Sequence, residues 1–167
     1  MLALALLDTA SASDKPPYDK HVSITFSPVH VFLATAEVTG EGRVLDKLGV
    51  AGILGVGVPS GVTTVEVGAS GRYYVVGSFD HGMQLGAELR YAHASQQRGD
   101  ILATGDSAVI GPFVGYKIAA RFGLSFEAQL GAQHQSTLLT ETRGIERATA
   151  RKARFIPLLN LNLGWSF

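Results

Sequence analysis

From Phe155 to Phe167 the chain alternates. Phe155, Pro157, Leu159, Leu161, Leu163, Trp165 and Phe167 fall on one side, and Asn160, Asn162, Gly164 and Ser166 on the other. A period of two over that length is the pattern of a strand with one apolar and one polar face. The same rhythm, cut by turn residues, divides the chain into eight segments. They cover residues 22–27, with Val22, Ile24 and Phe26 on one face, then 32 or 33 to 44, 48–58, 63–77, 83–95, 108–119, 124–136 and 153–167. Pro28 and His30 separate the first two, Pro59-Ser60-Gly61 supplies a turn, and residues 78–82 read as a polar turn. Residues 96–106 and 137–152 read as polar connections, the second one charged.

Setting the apolar residues of each segment on one face places Glu37, Glu41, Arg43, Glu66, Arg72, Glu88, Arg90, Lys117, Glu127 and Arg154 on the other. Charges that share a segment agree in phase: Glu37 with Glu41 and Arg43, Glu66 with Arg72, Glu88 with Arg90. The pressure for such agreement is large if the apolar face meets lipid, because Arg or Lys at a bilayer midplane costs about 2–4 kcal/mol. The expected fold is therefore all-β, a closed eight-stranded antiparallel up-and-down transmembrane β-barrel over residues 20–167. An eight-stranded barrel is just wide enough for its own side chains, so the ten charges are expected to form a lumen ion-pair network packed with Ile53, Tyr74 and Phe113. Tyr73, Tyr116, Phe126, Trp165 and Phe167 then project outward near one rim and Phe26, Tyr91 and Phe155 near the other, as two aromatic girdles. A soluble lipocalin-like barrel would invert every phase and leave a glycine-rich wet face outside. Pro112 and Pro157 fall within strands, where each removes a ladder donor.

Composition narrows the picture further. Fourteen basic and fourteen acidic residues balance, which argues against a nucleic-acid partner. No cysteine is present, so disulfides and thiolate metal sites are excluded. The apolar runs are too short for a spanning helix of about 18 residues, leaving a barrel as the way to cross a bilayer. Residues 1–19 read as a signal-peptide remnant or N-terminal leader: Leu2 to Leu7 is apolar and Ala10-Ser11-Ala12 has the small-x-small form of a cleavage site. His21, His30, His81, His93 and His134 show no metal-ligand spacing, and neither a metal nor another cofactor is expected.

Residues 20–167 resemble the small eight-stranded outer-membrane proteins of the OmpA transmembrane domain and OmpX type, a grouping often labelled porin-like. The most specific element is the terminal pattern Leu159, Leu161, Leu163, Trp165, Phe167, which is similar to the signal read by the barrel-assembly machinery, with Leu163, Trp165 and Phe167 as its core. The resemblance implies insertion by that machinery into the outer membrane of a Gram-negative bacterium, contact with lipid and lipopolysaccharide, and a monomer. It implies no reaction, so a structural or surface-interaction role is expected. A wall-anchoring role is not expected. Two alternatives remain, a narrow channel and an esterase. Some eight-stranded barrels are lipid A deacylases with a His-x-Ser motif on the lipid-facing wall. Here His134-Gln135-Ser136 and His93-Ala94-Ser95 have that spacing, with Glu146 or Glu141 as the orienting carboxylate. Thr137 stands where that family pattern has asparagine. Arg143, Arg147, Arg151 and Lys152 offer a possible lipopolysaccharide contact through charge-assisted hydrogen bonds.

Overall fold

A computed structural model describes residues 20–143 and 146–167, apart from the side chain of Arg143. The leader expected over residues 1–19 lies outside them. Eight antiparallel strands close into a ring in chain order: β1 (Val22–Phe26), β2 (Thr35–Leu45), β3 (Leu48–Gly57), β4 (Thr63–Gly77), β5 (His81–Arg98), β6 (Ile101–Ala119), β7 (Leu124–Arg143) and β8 (Glu146–Ser166). A short helix, α1 (Pro28–Phe32), links β1 to β2, with proline in its first turn where no amide donor is needed. The second strand therefore begins later than the alternation predicts, and Ala34 takes a left-handed φ of 57° to enter it. The rim that carries both ends of the described chain and the turns after β2, β4 and β6 is called proximal here; the opposite rim is distal.

Alternation decides which residues face out. One residue from each strand, Ile24, Val38, Leu54, Val67, Leu89, Ile110, Leu130 and Leu159, is between 48% and 65% exposed. Their neighbours Thr25, Glu37, Ile53, Glu88 and Asn160 are buried inside the ring. All eight girdle aromatics point outward, from Trp165 at 42% to Phe155 at 80%.

The strands are unequal. β1 to β4 have 5 to 15 residues, whereas β5 to β8 have 18 to 21. The described residues of 96–106 and 137–152 are thus not long loops: the β5–β6 ladder runs to Arg98↔Ile101 and the β7–β8 ladder to Arg143↔Glu146. Above the ring both faces of these hairpins meet solvent, so burial imposes no period-two signal there, and the ladder is held by backbone hydrogen bonds. Gly99, with φ 59°, makes the tight turn after β5. This extension places Asp106 in β6 on the outward face, a strand charge that the phases of the shorter segments did not include.

Closure is the weakest ladder. β1 pairs with β8 only from Ser23↔Ser166 to Phe26↔Leu163, and the last tie on that side is the Ser27 hydroxyl donating to the Leu161 carbonyl at 3.2 Å. Distal to it, no described strand covers the other edge of β8. Both prolines fit this geometry. The Phe167 amide donates to Val22 of β1, so by alternation the Pro157 nitrogen also faces the β1 side, where no strand needs its donor. By the same rule, Ala119 donating to Asp80 puts the Pro112 nitrogen toward β7, and the β6–β7 ladder is interrupted there, between Ile110↔His134 and Phe113↔Gly131.

Candidate functional site

The lumen is divided into two storeys. In the proximal one, Arg72 of β4 reaches across the ring: its Nη1 lies 2.9 Å from Glu127 Oε1 of β7 and 3.1 Å from Glu41 Oε2 of β2. Lys117 Nζ of β6 lies 2.8 Å from the same Glu41 oxygen, and the Tyr74 hydroxyl donates to the other at 2.7 Å. Gln84 and Gln129 donate to Glu127. Two carboxylates meet two cations, so charge balances. Phe79 closes this storey. It folds inward from the β4–β5 turn, fully buried, with the Lys117 ammonium 3.6 Å from its ring centroid and the Tyr74 ring at 5.9 Å. A cation over an aromatic face is attractive, more so when desolvated. Residues 78–82 are therefore not simply a polar solvated turn: Phe79 and Asp80 are buried.

The distal storey has different arithmetic. Arg90 of β5 is held by Glu88 and Glu37 and, at 2.8 Å, by Glu66 Oε1. Gln133 Nε2 donates to Glu88 Oε1 at 2.8 Å, and His30 Nδ1 of α1 lies 3.5 Å from Glu37 Oε2. Three carboxylates surround one guanidinium. Glu37 Oε1 and Glu88 Oε2 are buried without a hydrogen-bond partner. Above this floor lies a cavity of about 560 Å³.

The ten charges assigned to one network are thus separated. Glu41, Arg72, Lys117 and Glu127 form the proximal cluster, and Glu37, Glu66, Glu88 and Arg90 the distal one. Arg43 and Arg154 belong to neither cluster. Arg43 Nη2 lies 3.0 Å from His21 Nδ1 at the proximal rim, and the exposed Arg154 donates to Gln135 Oε1 at 2.8 Å. Phase fixes the face of a residue but not its depth along the axis, and these two sit near the ends of the ring. The expected five-to-five balance becomes five carboxylates to three cations within the two clusters.

Compared with family models, curated proteins and solved structures, the chain matches none of them.

The esterase candidates do not assemble around His134. Its ring packs on Phe155 at 5.1 Å. Ser136 shares its outward face, but Glu146 lies on the opposite face of its strand and beside Arg143, about 24 Å along β7 from Ser136 at 3.4 Å per residue. Glu141 stands about 17 Å along the same strand. An extended hairpin, rather than a loop folding back, separates them. At the other motif a carboxylate is present: Asp106 Oδ1 lies 2.8 Å from His93 Nδ1 and accepts from the Tyr91 hydroxyl at 2.5 Å. Ser95 follows on the same outward face. Asp106 had been hidden in the expected loop.

The basic group is split. Arg147 and Arg151 alternate onto the outward face above Phe155, whereas Lys152 is on the face that continues the lumen wall; all three are exposed. Arg143 lies in β7, with its side chain outside the described residues. Among the described residues, no three of His, Asp or Glu are placed to hold a metal ion. Leu163, Trp165 and Phe167 continue the outward face of β8, with the Phe122 ring 5.8 Å from Trp165. The residues that sequence reasoning missed are Phe79, whose turn carries no alternation, and Gln84, Gln129 and Gln133, which share the lumen phase but were passed over because they are neutral.

Proposed function

We propose that this chain is an integral outer-membrane β-barrel with a structural or surface-interaction role, similar in kind to the OmpA and OmpX type. The observation that carries the reading is the outward belt, one half-exposed aliphatic residue from each of the eight strands, bounded by aromatics at both rims. In water a continuous apolar girdle of this kind would drive association, because monomeric proteins rarely expose apolar patches beyond a few hundred Å². In a bilayer it is the expected outer wall. The hairpins of β5 to β8 would stand above the membrane on the distal side, with Arg147 and Arg151 facing outward about 27 and 14 Å beyond Phe155 along β8. That height suits contact with lipopolysaccharide phosphates, and the hairpins offer a surface to external partners. The fold reaches the membrane, on this reading, through the barrel-assembly machinery acting on the β8 pattern.

The test is fractionation combined with gel mobility. An unboiled sample from outer-membrane fractions is expected to migrate differently from a boiled one. Recovery only in soluble fractions, with no mobility shift, rejects the reading. A second reading, acyl-ester hydrolysis at the distal interface, is favoured at His93 rather than His134 by the Asp106 carboxylate on His93 Nδ1. That carboxylate would orient the imidazole as base for Ser95. Overexpression followed by lipid A mass spectrometry decides between scaffold and esterase: loss of an acyl chain with the wild type but not with Ser95→Ala supports hydrolysis, and an unchanged spectrum rejects it.

A further inference from the structure

We infer that the distal storey is a binding cup for a single-tailed amphiphile with a cationic, ammonium-type head, reached sideways through the gap between α1 and the free edge of β8. The first observation is the lining of the cavity. β5 contributes Glu88, Arg90, Ala92 and Ala94, and β6 and β7 likewise contribute alternate residues, as strands do when they wall a lumen with one face. β8 contributes Ile156, Pro157, Leu158, Leu159 and Asn160 in succession. Residues of both of its faces line the space, as fits a cavity that reaches around the unpaired strand edge. Leu158 is buried and Leu159 is 56% exposed, so the opening leads from the lumen to the apolar outer wall. Its far side is α1, through Val29, His30 and nearby Leu33.

The second observation is the chemistry of the floor. Arg90 is already occupied by three carboxylates, while Glu88, 2% exposed and part of the cavity wall, keeps Oε2 without a donor. Buried acceptors left unmet are costly, and a ligand nitrogen carrying N–H groups and positive charge would meet this one. An anionic head would meet the three carboxylates that already hold Arg90 through Nε and Nη1, while Lys152 and Arg154, on the same inner face farther along β8, stand exposed away from the floor. Above the floor Val109, Leu139, Ile156 and Leu158 line the cavity among the polar Thr64, Ser107, Gln135 and Thr137, and these four apolar side chains would receive a tail. The volume, about 560 Å³, lies in the range of small-molecule sites. Phe79 and the proximal cluster block the far exit, so the cup is a dead end.

The lateral route rests on the bilayer placement proposed above; the head-group preference does not, and two separate measurements keep them apart. In a nonionic maltoside detergent, titration calorimetry of the full chain compares dodecylammonium with dodecyl sulfate, which shares the tail, and with methylammonium, which lacks it. Dodecylammonium is expected to bind at least tenfold more tightly than either. Glu88→Gln is expected to weaken it at least fivefold, and the half-buried Glu66→Gln, a milder change should the first fail to fold, at least twofold. Equal affinity for sulfate and ammonium, or unchanged affinity in folded Glu88→Gln or in folded Glu66→Gln, overturns the cup. In lipid nanodiscs, Leu159→Trp is expected to slow dodecylammonium uptake severalfold while leaving its equilibrium affinity within twofold. An unchanged uptake rate overturns the side entrance alone.

Discussion

Single residues feel two solvents in this molecule. Leu89 stands in the middle of the outward belt, and Leu89→Arg is expected to lower folding stability in lipid vesicles by about 2–4 kcal/mol, read as a shift in the urea midpoint. Asp80 responds to pH instead. It lies in the turn after β4, and its burial lifts the carboxyl above the ordinary range, with Lys20, Lys117 and Arg43 pulling it back. A raised value favours the protonated form in the folded state, so the favourable share is complete below the ordinary carboxylate value and is lost as pH rises through the raised one. Asp80→Asn is therefore expected to be more stable than wild type near neutral pH and to lose that margin on acidification toward about pH 4. Unfolding midpoints across pH check the sign. At this scale the sequence is informative about faces: Glu37, Glu41, Arg72, Glu88, Lys117 and Glu127 are buried where alternation puts them. It is silent about depth, which is why Arg43 and Arg154 were grouped with charges that lie elsewhere along the axis.

Elements differ in how completely they are held. Gly164 sits on the seam, where an added Cβ would lie 2.0 Å from the Ile24 carbonyl oxygen. Gly164→Val is expected to prevent β8 from closing on β1, abolishing the gel-mobility difference between heated and unheated samples. Pro157 makes the opposite prediction. Its nitrogen faces an edge without a strand partner among the described residues, so Pro157→Ala is expected to change stability by less than about 0.5 kcal/mol in the same urea assay. The eight strands were legible because an apolar outer face and a polar lumen impose a two-residue period on most of them. The distal halves of β5 to β8 were not. Thr137, Thr140, Thr142 and Thr149 lie in that ladder with no apolar alternation to reveal it, and α1 is too short for a helical period to show.

For the whole molecule, the two storeys decide what can pass. The proximal storey is filled by Phe79, Tyr74, Lys117 and Arg72, all buried to 2% exposure or less. Planar-bilayer recording of the wild type is expected to show no resolvable conductance steps, whereas the Phe79→Ala/Tyr74→Ala pair is expected to produce them. Steps in the wild type would mean that the plug is displaced in the membrane. The clusters also explain how a lumen this charged is tolerated: a buried ion pair adds little net stability, yet removing one partner costs about 3–5 kcal/mol. Composition alone suggested one neutral network, because a count of charges carries no information about how they are shared along the axis.

The short first strand has a bearing on assembly. Neighbouring hairpins can form from nearby stretches of chain, but the join of Ser23 to Ser166 brings together residues 143 positions apart. The entropy lost in gathering such distant ends rises with the length between them, and the reward is four rungs of backbone pairing and the bonds of Phe167 to His21 and Val22. Ring completion should therefore be the slow event in refolding, and the last joint made should also be the first to come apart.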